Sequence, residues 1–357
     1  MRLFFIIMTL NTVKRSLHVP SDVKTLLKNY SLSIAGLMTG AAQNAKISKN
    51  LKYKDIPPAA ILHHLADRQI LAAVNKDNKA ESINRRYIPE LAELVKKYKL
   101  NSKLENYTGC KYSSAGCRMS CLVYSGRSNI FAAVQYARGR RTLAAIHKPA
   151  EYTRALIYSI AYHFKKSGGY ISIRLKGTDE NELHFKRVFL TIREINNLNS
   201  YYGLNIDYSD KPRVISEIFK NDNIIFYEYS KAPLKMLKRL SSLNIDITAS
   251  LVADRPTGAI DAIDAVKIGG YRLAVPVTLN KADRIPRRVI ISDNNGRRVD
   301  IPAFSGDNYD FRPADKSKCA IILKSKKSAG GNLLSAFFIA DKLGRQYIGG
   351  GTIELIY

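Results

Sequence analysis

From residue 170 onward, short apolar runs alternate with longer amphipathic stretches. Ile171-Ser172-Ile173-Arg174-Leu175 reads as a strand, followed by Lys176-Gly177-Thr178-Asp179 and a long helix, Asn181–Leu198. Ile224-Ile225-Phe226-Tyr227 repeats the pattern, with Glu228-Tyr229-Ser230-Lys231 and a helix to about Leu243 behind it. Ile245-Asp246-Ile247-Thr248 leads to a helical stretch at Gly258–Ile268 and then to a strand at Arg272–Val277. Short strands alternating with helices predict βαβ units and a parallel sheet. Each polar cluster stands directly after a strand, where α/β sheets and barrels keep their active sites.

The first half of the chain is patterned differently. A helix is expected around Asp22–Tyr30, and Pro57-Pro58 introduces an apolar helix, Ala59–Val74. An amphipathic helix follows at Tyr87–Lys99, and two more at 128–145 and 150–166 flank His147-Lys148-Pro149. The end of the chain is strand-rich around an Asn294-Asn295-Gly296 turn. The expected fold is α/β, a (β/α) barrel or partial barrel in three segments. These are a mostly helical 1–106, a cysteine loop with a βα-repeat core over 107–280, and a β-rich cap over 281–357.

With 357 residues, 46% of them hydrophobic, the chain can bury a sizeable core. The apolar start, Met1–Met8, is shorter than a secretory signal core and lacks a small-residue cleavage site, and Met8 is an alternative start. No run reaches the roughly 18 apolar residues needed to span a bilayer. A cytoplasmic protein with no membrane partner is expected. Charge then narrows the partners. Lys and Arg number 57 against 30 Asp and Glu, a formal net charge of +27. So large an excess repels itself in a compact state unless a polyanion neutralises it, and nucleic acid does so with release of condensed counterions.

Four cysteines are too few for a disulfide scaffold in a chain of this length. Three of them crowd together: Cys110, Cys117 and Cys121, spaced Cys-x6-Cys-x3-Cys, with Gly109 and Gly116 beside them. Three thiolates on one loop can hold a soft metal or three irons of a cubane cluster, so an iron–sulfur cluster and zinc are both open. Zinc would want a fourth ligand, for which His147, His163 and Cys319 are available. Three unrelated buried thiols are the plainer alternative. Arg127, Arg138, Arg140, Arg141 and Lys148 follow along the next helix and its ends, and Arg suits bidentate phosphate contacts. Acids cluster at Asp179-Glu180 and at Asp307, Asp310 and Asp315, where carboxylates can bind a hard cation or move protons.

These motifs resemble an uncharacterised phage-encoded family. The Cys-x6-Cys-x3-Cys loop, its Ser125-Gly126-Arg127 and the Val134-Gln135-Tyr136-Ala137-Arg138 stretch carry the likeness, after an Asn44-Ala45-Lys46-Ile47-Ser48-Lys49 segment. Further on, Arg174-Leu175-Lys176-Gly177-Thr178-Asp179 is similar to the family's Arg-Leu-Asn-Gly-Thr-Ser-Asp strand end, with Lys176 where the family has Asn. Phe226–Lys231 is similar to its Phe-Tyr-Asp-Tyr-Thr-Lys, Ile247–Ser250 to its Leu-Thr-Phe-Ser, and Gly306–Arg312 to its Gly-Asp-x-x-Asp-x-Arg. The matches run in order over about 44–326, with 50–107 diverged. The resemblance implies a viral origin and a barrel-like fold with a cysteine site, reminiscent of radical iron–sulfur enzymes. Their usual spacing, Cys-x3-Cys-x2-Cys, differs from the one here.

The expected function is a phage-type nucleic-acid-binding protein with a three-cysteine metal or iron–sulfur site that modifies or processes DNA, RNA or nucleotides. Arg174, Asp179, Glu228 and Lys231 would face the substrate from strand ends, with Asp307 and Asp310 added from the last loop. Two alternatives stand beside it. One is a rolling-circle initiator using Tyr158 and Tyr162, four apart on a helix, although the adjacent His63-His64 does not supply the His-x-His metal strand such enzymes need. The other is a non-enzymatic DNA-binding protein with structural zinc.

Overall fold

The computed structural model describes residues 17–40, 48–65, 67–75, 87–119, 132–279, 284–324, 339–340 and 344–357. Cys121, Arg127, the Met1–Met8 stretch and Asn44–Ile47 lie outside them.

One sheet of eleven strands organises the chain. Its parallel part runs β2 (Ala59–Ile61), β3 (Ile171–Arg174), β6 (Ile224–Ser230), β7 (Ile245–Ser250), β8 (Arg272–Val277), β11 (Ala320–Lys324) and β10 (Arg298–Ser305). Short β1 (Thr39–Gly40) pairs antiparallel with β2 at one edge. At the other, β9 (Arg288–Asp293), β13 (Gly351–Ile356) and β12 (Arg345–Ile348) extend the sheet antiparallel. A separate pair, β4 (Arg187–Val188) and β5 (Arg213–Val214), sits apart from it. The expected α/β class and parallel units are present. The expected barrel is not, because β1 and β12 end the sheet as two separate edges. The antiparallel strands added beyond β10 carry the sheet outward instead of round to β2. Strands from all three sequence segments belong to this one sheet.

Alternation along the strands assigns its two faces. Ile171, Ile173, Phe226, Ile245, Ile247, Ala249, Leu273, Val275 and Val277 join the main apolar core under the helices. The central helix is α8 (Pro149–Lys166), which starts with Pro at its first position and buries Leu156, Ile157, Ile160 and Ala161. It stops at Gly168 and Gly169, whose φ of +81° and +89° only glycine adopts freely. Two further helices, α11 (Leu234–Ser241) and α12 (Gly258–Lys267), return the chain between β6, β7 and β8. The opposite face carries Ser172, Arg174, Tyr227, Tyr229, Asp246, Thr248 and Arg272. A strap formed by residues 305–319 crosses this face, from the C-terminal end of β10 to the N-terminal end of β11.

Two predicted helices begin later than expected. Ala59–Ile61 is a strand, with α3 starting only at Asp67 and ending at Val74. Within 181–198, Leu183–Phe185 is a 3-10 turn and β4 follows. The helix itself, α9 (Ile192–Tyr202), begins after Thr191, whose capping box with Glu194 fixes the start.

Candidate active site at the strand ends

Buried carboxylates gather at the C-terminal ends of β3 and β6. Glu228, fully buried near the end of β6, accepts three hydrogen bonds on one oxygen: Leu175 N at 2.5 Å, Lys176 N at 3.0 Å and His184 Nε2 at 2.7 Å. The carboxylate thus binds the two amides that leave the ladder where β3 ends. A buried carboxylate costs several kcal/mol unless donors meet it; here three meet Oε1, and the Arg174 guanidinium faces Oε2 at 3.7 Å. The carboxylate only accepts, so His184 carries its proton on Nε2. Glu180 accepts from Lys231 N at 2.9 Å, Ser230 Oγ at 3.2 Å and Lys176 Nζ at 3.3 Å. Lys176 is therefore a buried partner of Glu180. Asp179 meets His64 Nδ1 at 3.2 Å and Asn181 Nδ2 at 3.0 Å, and His64 Nε2 lies 2.8 Å from the Tyr152 hydroxyl. Burial pushes the Tyr152 phenol far above its ordinary pKa.

A second group lies on the face under the strap. Arg174 stacks over the Tyr229 ring at 4.6 Å, with NH1 3.5 Å from Asp310 and Nε 3.7 Å from Glu228. Burial works against its charge, but Asp310 and Glu228 outweigh it and raise the Arg174 pKa. Asp310 also accepts from the Tyr227 hydroxyl at 3.2 Å, and its amide donates to Asn50 Oδ1 at 3.0 Å. Burial, then Asp310, pushes the Tyr227 phenol up. Arg312 is fully buried, stacked over Tyr309 at 4.8 Å and paired with Asp315 at 3.1 Å. Asp307 stays at the strap's outer end, where its carbonyl accepts Lys49 Nζ at 2.7 Å.

The cysteine loop is docked onto these strand ends. Gly109 O accepts Glu180 N at 2.6 Å, Gly116 N donates to Asp254 Oδ2 at 2.8 Å, and Arg255 donates to Tyr112 O. Short helix α6 (Ala115–Met119) begins there, with Cys117 N bonded to Ser114 Oγ at 3.1 Å. Cys110 and Cys117 are both half-buried. Cys319 lies at the opposite end of the parallel strands, before β11, where burial pushes its thiol up to about 11. His147 stacks on Tyr98 at 4.8 Å, and His163 packs beside Gly40, so neither of these stands at the loop. Among the described residues, no group of three or more His, Cys, Asp or Glu side chains is arranged to hold a metal ion.

The expected site residues divide accordingly. Arg174, Asp179, Glu228 and Asp310 come together, and Lys231 joins them through its backbone amide, while its carbonyl accepts Arg255 at 2.9 Å. The arginines of α7 (Ala132–His147) do not form an outward row. Arg138 is buried, Arg140 donates to Ser31 O at 2.7 Å and Arg141 to His63 O at 3.2 Å. Lys148 alone of the described members is exposed, 4.0 Å from Glu151. Tyr158 is wholly buried in the α8 core, out of reach of a DNA phosphate, which removes the paired-tyrosine arrangement. No helix among the described residues is long and apolar enough to cross a membrane.

Sequence reasoning missed His63, His64 and His184. The signal was present for the first two: a short apolar run after Pro57-Pro58 ended in a polar pair, just as β3 and β6 do. His63 is half-buried at the end of β2. Burial first, then Arg138, Arg174 and Arg141, lowers its pKa well below the usual histidine value, with Asp310 acting the other way. Comparison with protein-family models, curated proteins and solved structures gave no match.

Proposed function

We propose that the protein binds nucleic acid or nucleotides and modifies or processes them at the strand ends, with Cys110, Cys117 and Cys121 holding a metal or iron–sulfur centre above the site. One observation carries this: the cysteine loop is bonded directly to the strand-end cluster, through Glu180 N to Gly109 O at 2.6 Å and Gly116 N to Asp254 Oδ2 at 2.8 Å. Two chemistries far apart along the chain therefore share one end of the sheet. Strand C-termini are where open α/β sheets bind ligands.

The net charge of +27 supports a polyanionic partner. Two half-buried cysteines on a loop that also carries Cys121 suit thiolate ligation, and a bound centre would supply Lewis-acid or redox chemistry there. Glu180 and Asp179 accept on both oxygens and Glu228 accepts three donors on Oε1, so the three carboxylates hold the frame. Arg174, Lys231 and His63 are the groups assigned to substrate, with the cations for phosphate and His63 as a neutral proton acceptor, while buried Asp310 positions Arg174. The test combines two measurements on the full chain. Oligonucleotide retention should be tight at low salt and fall steeply as salt rises. Metal should copurify anaerobically. Absence of nucleic-acid binding at low ionic strength would defeat the proposal.

A further inference from the structure

We propose that His63, Arg141 and Arg174, backed by Arg138, form a seat for a phosphate-type oxyanion at the ends of β2 and β3. It rests on the strand-end cluster being the active site and names where the substrate's phosphoryl group docks.

The argument starts from unmet polar atoms. Arg174 holds its two carboxylate neighbours at 3.5 Å and 3.7 Å, beyond the roughly 2.7–2.9 Å of a charge-assisted hydrogen bond. Its buried Nε makes no hydrogen bond among the described residues. Arg141 spends one nitrogen on the His63 carbonyl at 3.2 Å, and its buried Nε has no partner among the described residues. His63 Nδ1 is likewise buried and without one. Buried donors left unmet are costly, and sites that persist with several of them together are expected to be filled by a ligand.

Backbone geometry brings these atoms to one place. Leu62 N bonds to Arg174 O at 2.9 Å and Gly177 N to Leu62 O at 2.9 Å, which ties the two strand ends together. A Cβ on residue 177 would stand 2.6 Å from His63 Nδ1 and 2.3 Å from Leu62 O, so only glycine leaves the imidazole its position. From the other side, Arg138 and Arg141 lie one turn apart on α7, and the Arg138 carbonyl accepts the Thr142 hydroxyl at 3.0 Å. Three guanidinium groups thus face one imidazole, with Asp310 the opposing charge there and Glu228 the second carboxylate beside Arg174. The positive charge that remains suits a tetrahedral anion, whose oxygens can meet donors from several directions, better than a third carboxylate. The lowered pKa of His63 agrees with this, because an anion in the seat would reverse the repulsion and let the ring take up a proton.

The test uses sulfate, whose charge is constant across the histidine range, and inorganic phosphate. Each is titrated into the full chain by calorimetry and followed by thermal shift. Wild type should bind both. Arg141→Lys, Arg174→Lys and His63→Gln should each weaken sulfate about tenfold or more, as expected for losing one contact to a charged group. Lys28→Gln, at an exposed position of α1 (Ser21–Asn29), should leave it unchanged. Sulfate affinity in wild type should rise as pH falls below about 6.5, with proton uptake, and be flat in His63→Gln. If an arginine variant fails to fold, that pH arm decides alone. A 5′-phosphorylated oligonucleotide that displaces sulfate while its unphosphorylated twin does not identifies a terminal phosphate; displacement by both identifies backbone diesters. No sulfate binding in wild type, unchanged binding in the three variants, or displacement by neither oligonucleotide overturns the seat. Metal content and low-salt oligonucleotide retention are measured separately. Their survival with the seat lost leaves the active-site assignment standing, and their loss with sulfate binding intact defeats that assignment alone.

Discussion

Replacing Glu228 with alanine strips the acceptor that three buried donors share. Leu175 N, Lys176 N and His184 Nε2, at 2.5, 3.0 and 2.7 Å, would all lose their partner, and Arg174 would lose one of its two counter-charges. A hydrogen bond to a charged group contributes about 1.5–3 kcal/mol net. Breaking a buried charged pair from one side costs about 3–5 kcal/mol, because the remaining partners stay buried and unmet. The Glu228→Ala variant should therefore lose about 3–5 kcal/mol, out of a total near 5–15 kcal/mol for a folded protein. Glu228→Gln keeps an oxygen that can accept the same three donors and forfeits the charge, so it should lose only about 1–2 kcal/mol. Urea denaturation followed by circular dichroism measures both. A loss below about 1 kcal/mol for the alanine variant is what ordinary surface or mild substitutions give. It would mean that Glu228 does not hold the end of β3, and the site's frame would have to be sought elsewhere.

Three histidines set the acid limit of the fold. Burial first, then neighbouring cations, lowers the pKa of His63 and of His147, and burial lowers that of His163. Below about pH 6.5 the unfolded chain binds protons that the folded one refuses, so stability falls as pH drops from there toward the depressed values. Melting temperature measured from pH 8 to 5 should show this decline, and His63→Gln should make it shallower; an equal slope in the variant would contradict the placement of His63. Gly177→Ala forces a methyl against Leu62 O and His63 Nδ1, at 2.3 and 2.6 Å, and should cost about 1–3 kcal/mol by urea titration. A neutral result would show that the two strand ends do not approach so closely. Thr191→Ala removes the capping box of α9 and should cost about 1 kcal/mol, with helix loss confined to its first turn by hydrogen exchange; unchanged exchange there would exclude the cap.

The strands of the parallel sheet were legible because their apolar runs are short and end in polar clusters. That rule located Arg174, Glu228 and Lys231 at once. Ala59–Ile61 escapes that rule because its three residues merge with the apolar stretch behind them, which gives His63 and His64 a helical pattern. The helix expected from residue 181 failed for another reason. Asn181 turns its side chain back onto Leu175 O and Leu183 N, a local bond that competes with helix formation, and Thr191 then starts the real one. The α7 arginines looked like an outward phosphate-binding row because charge alone does not tell which face packs. Arg138 and Arg141 turn inward, toward the end of β2, a contact set by tertiary structure. Closure was illegible too, since the alternating βα pattern is shared by barrels and open sheets, and only the edge strands decide between them.

The central claim is that the cysteine loop carries a metal over the strand ends. Elemental analysis of the anaerobically purified chain tests it most directly, on wild type and on the four single Cys→Ser variants. Wild type should carry iron with inorganic sulfide, or zinc. Cys110→Ser, Cys117→Ser and Cys121→Ser should each lose it, while Cys319→Ser, at the far end of the sheet, should keep it. Metal-free wild type, or full metal in all three loop variants, would contradict the account and leave the three cysteines as ordinary thiols.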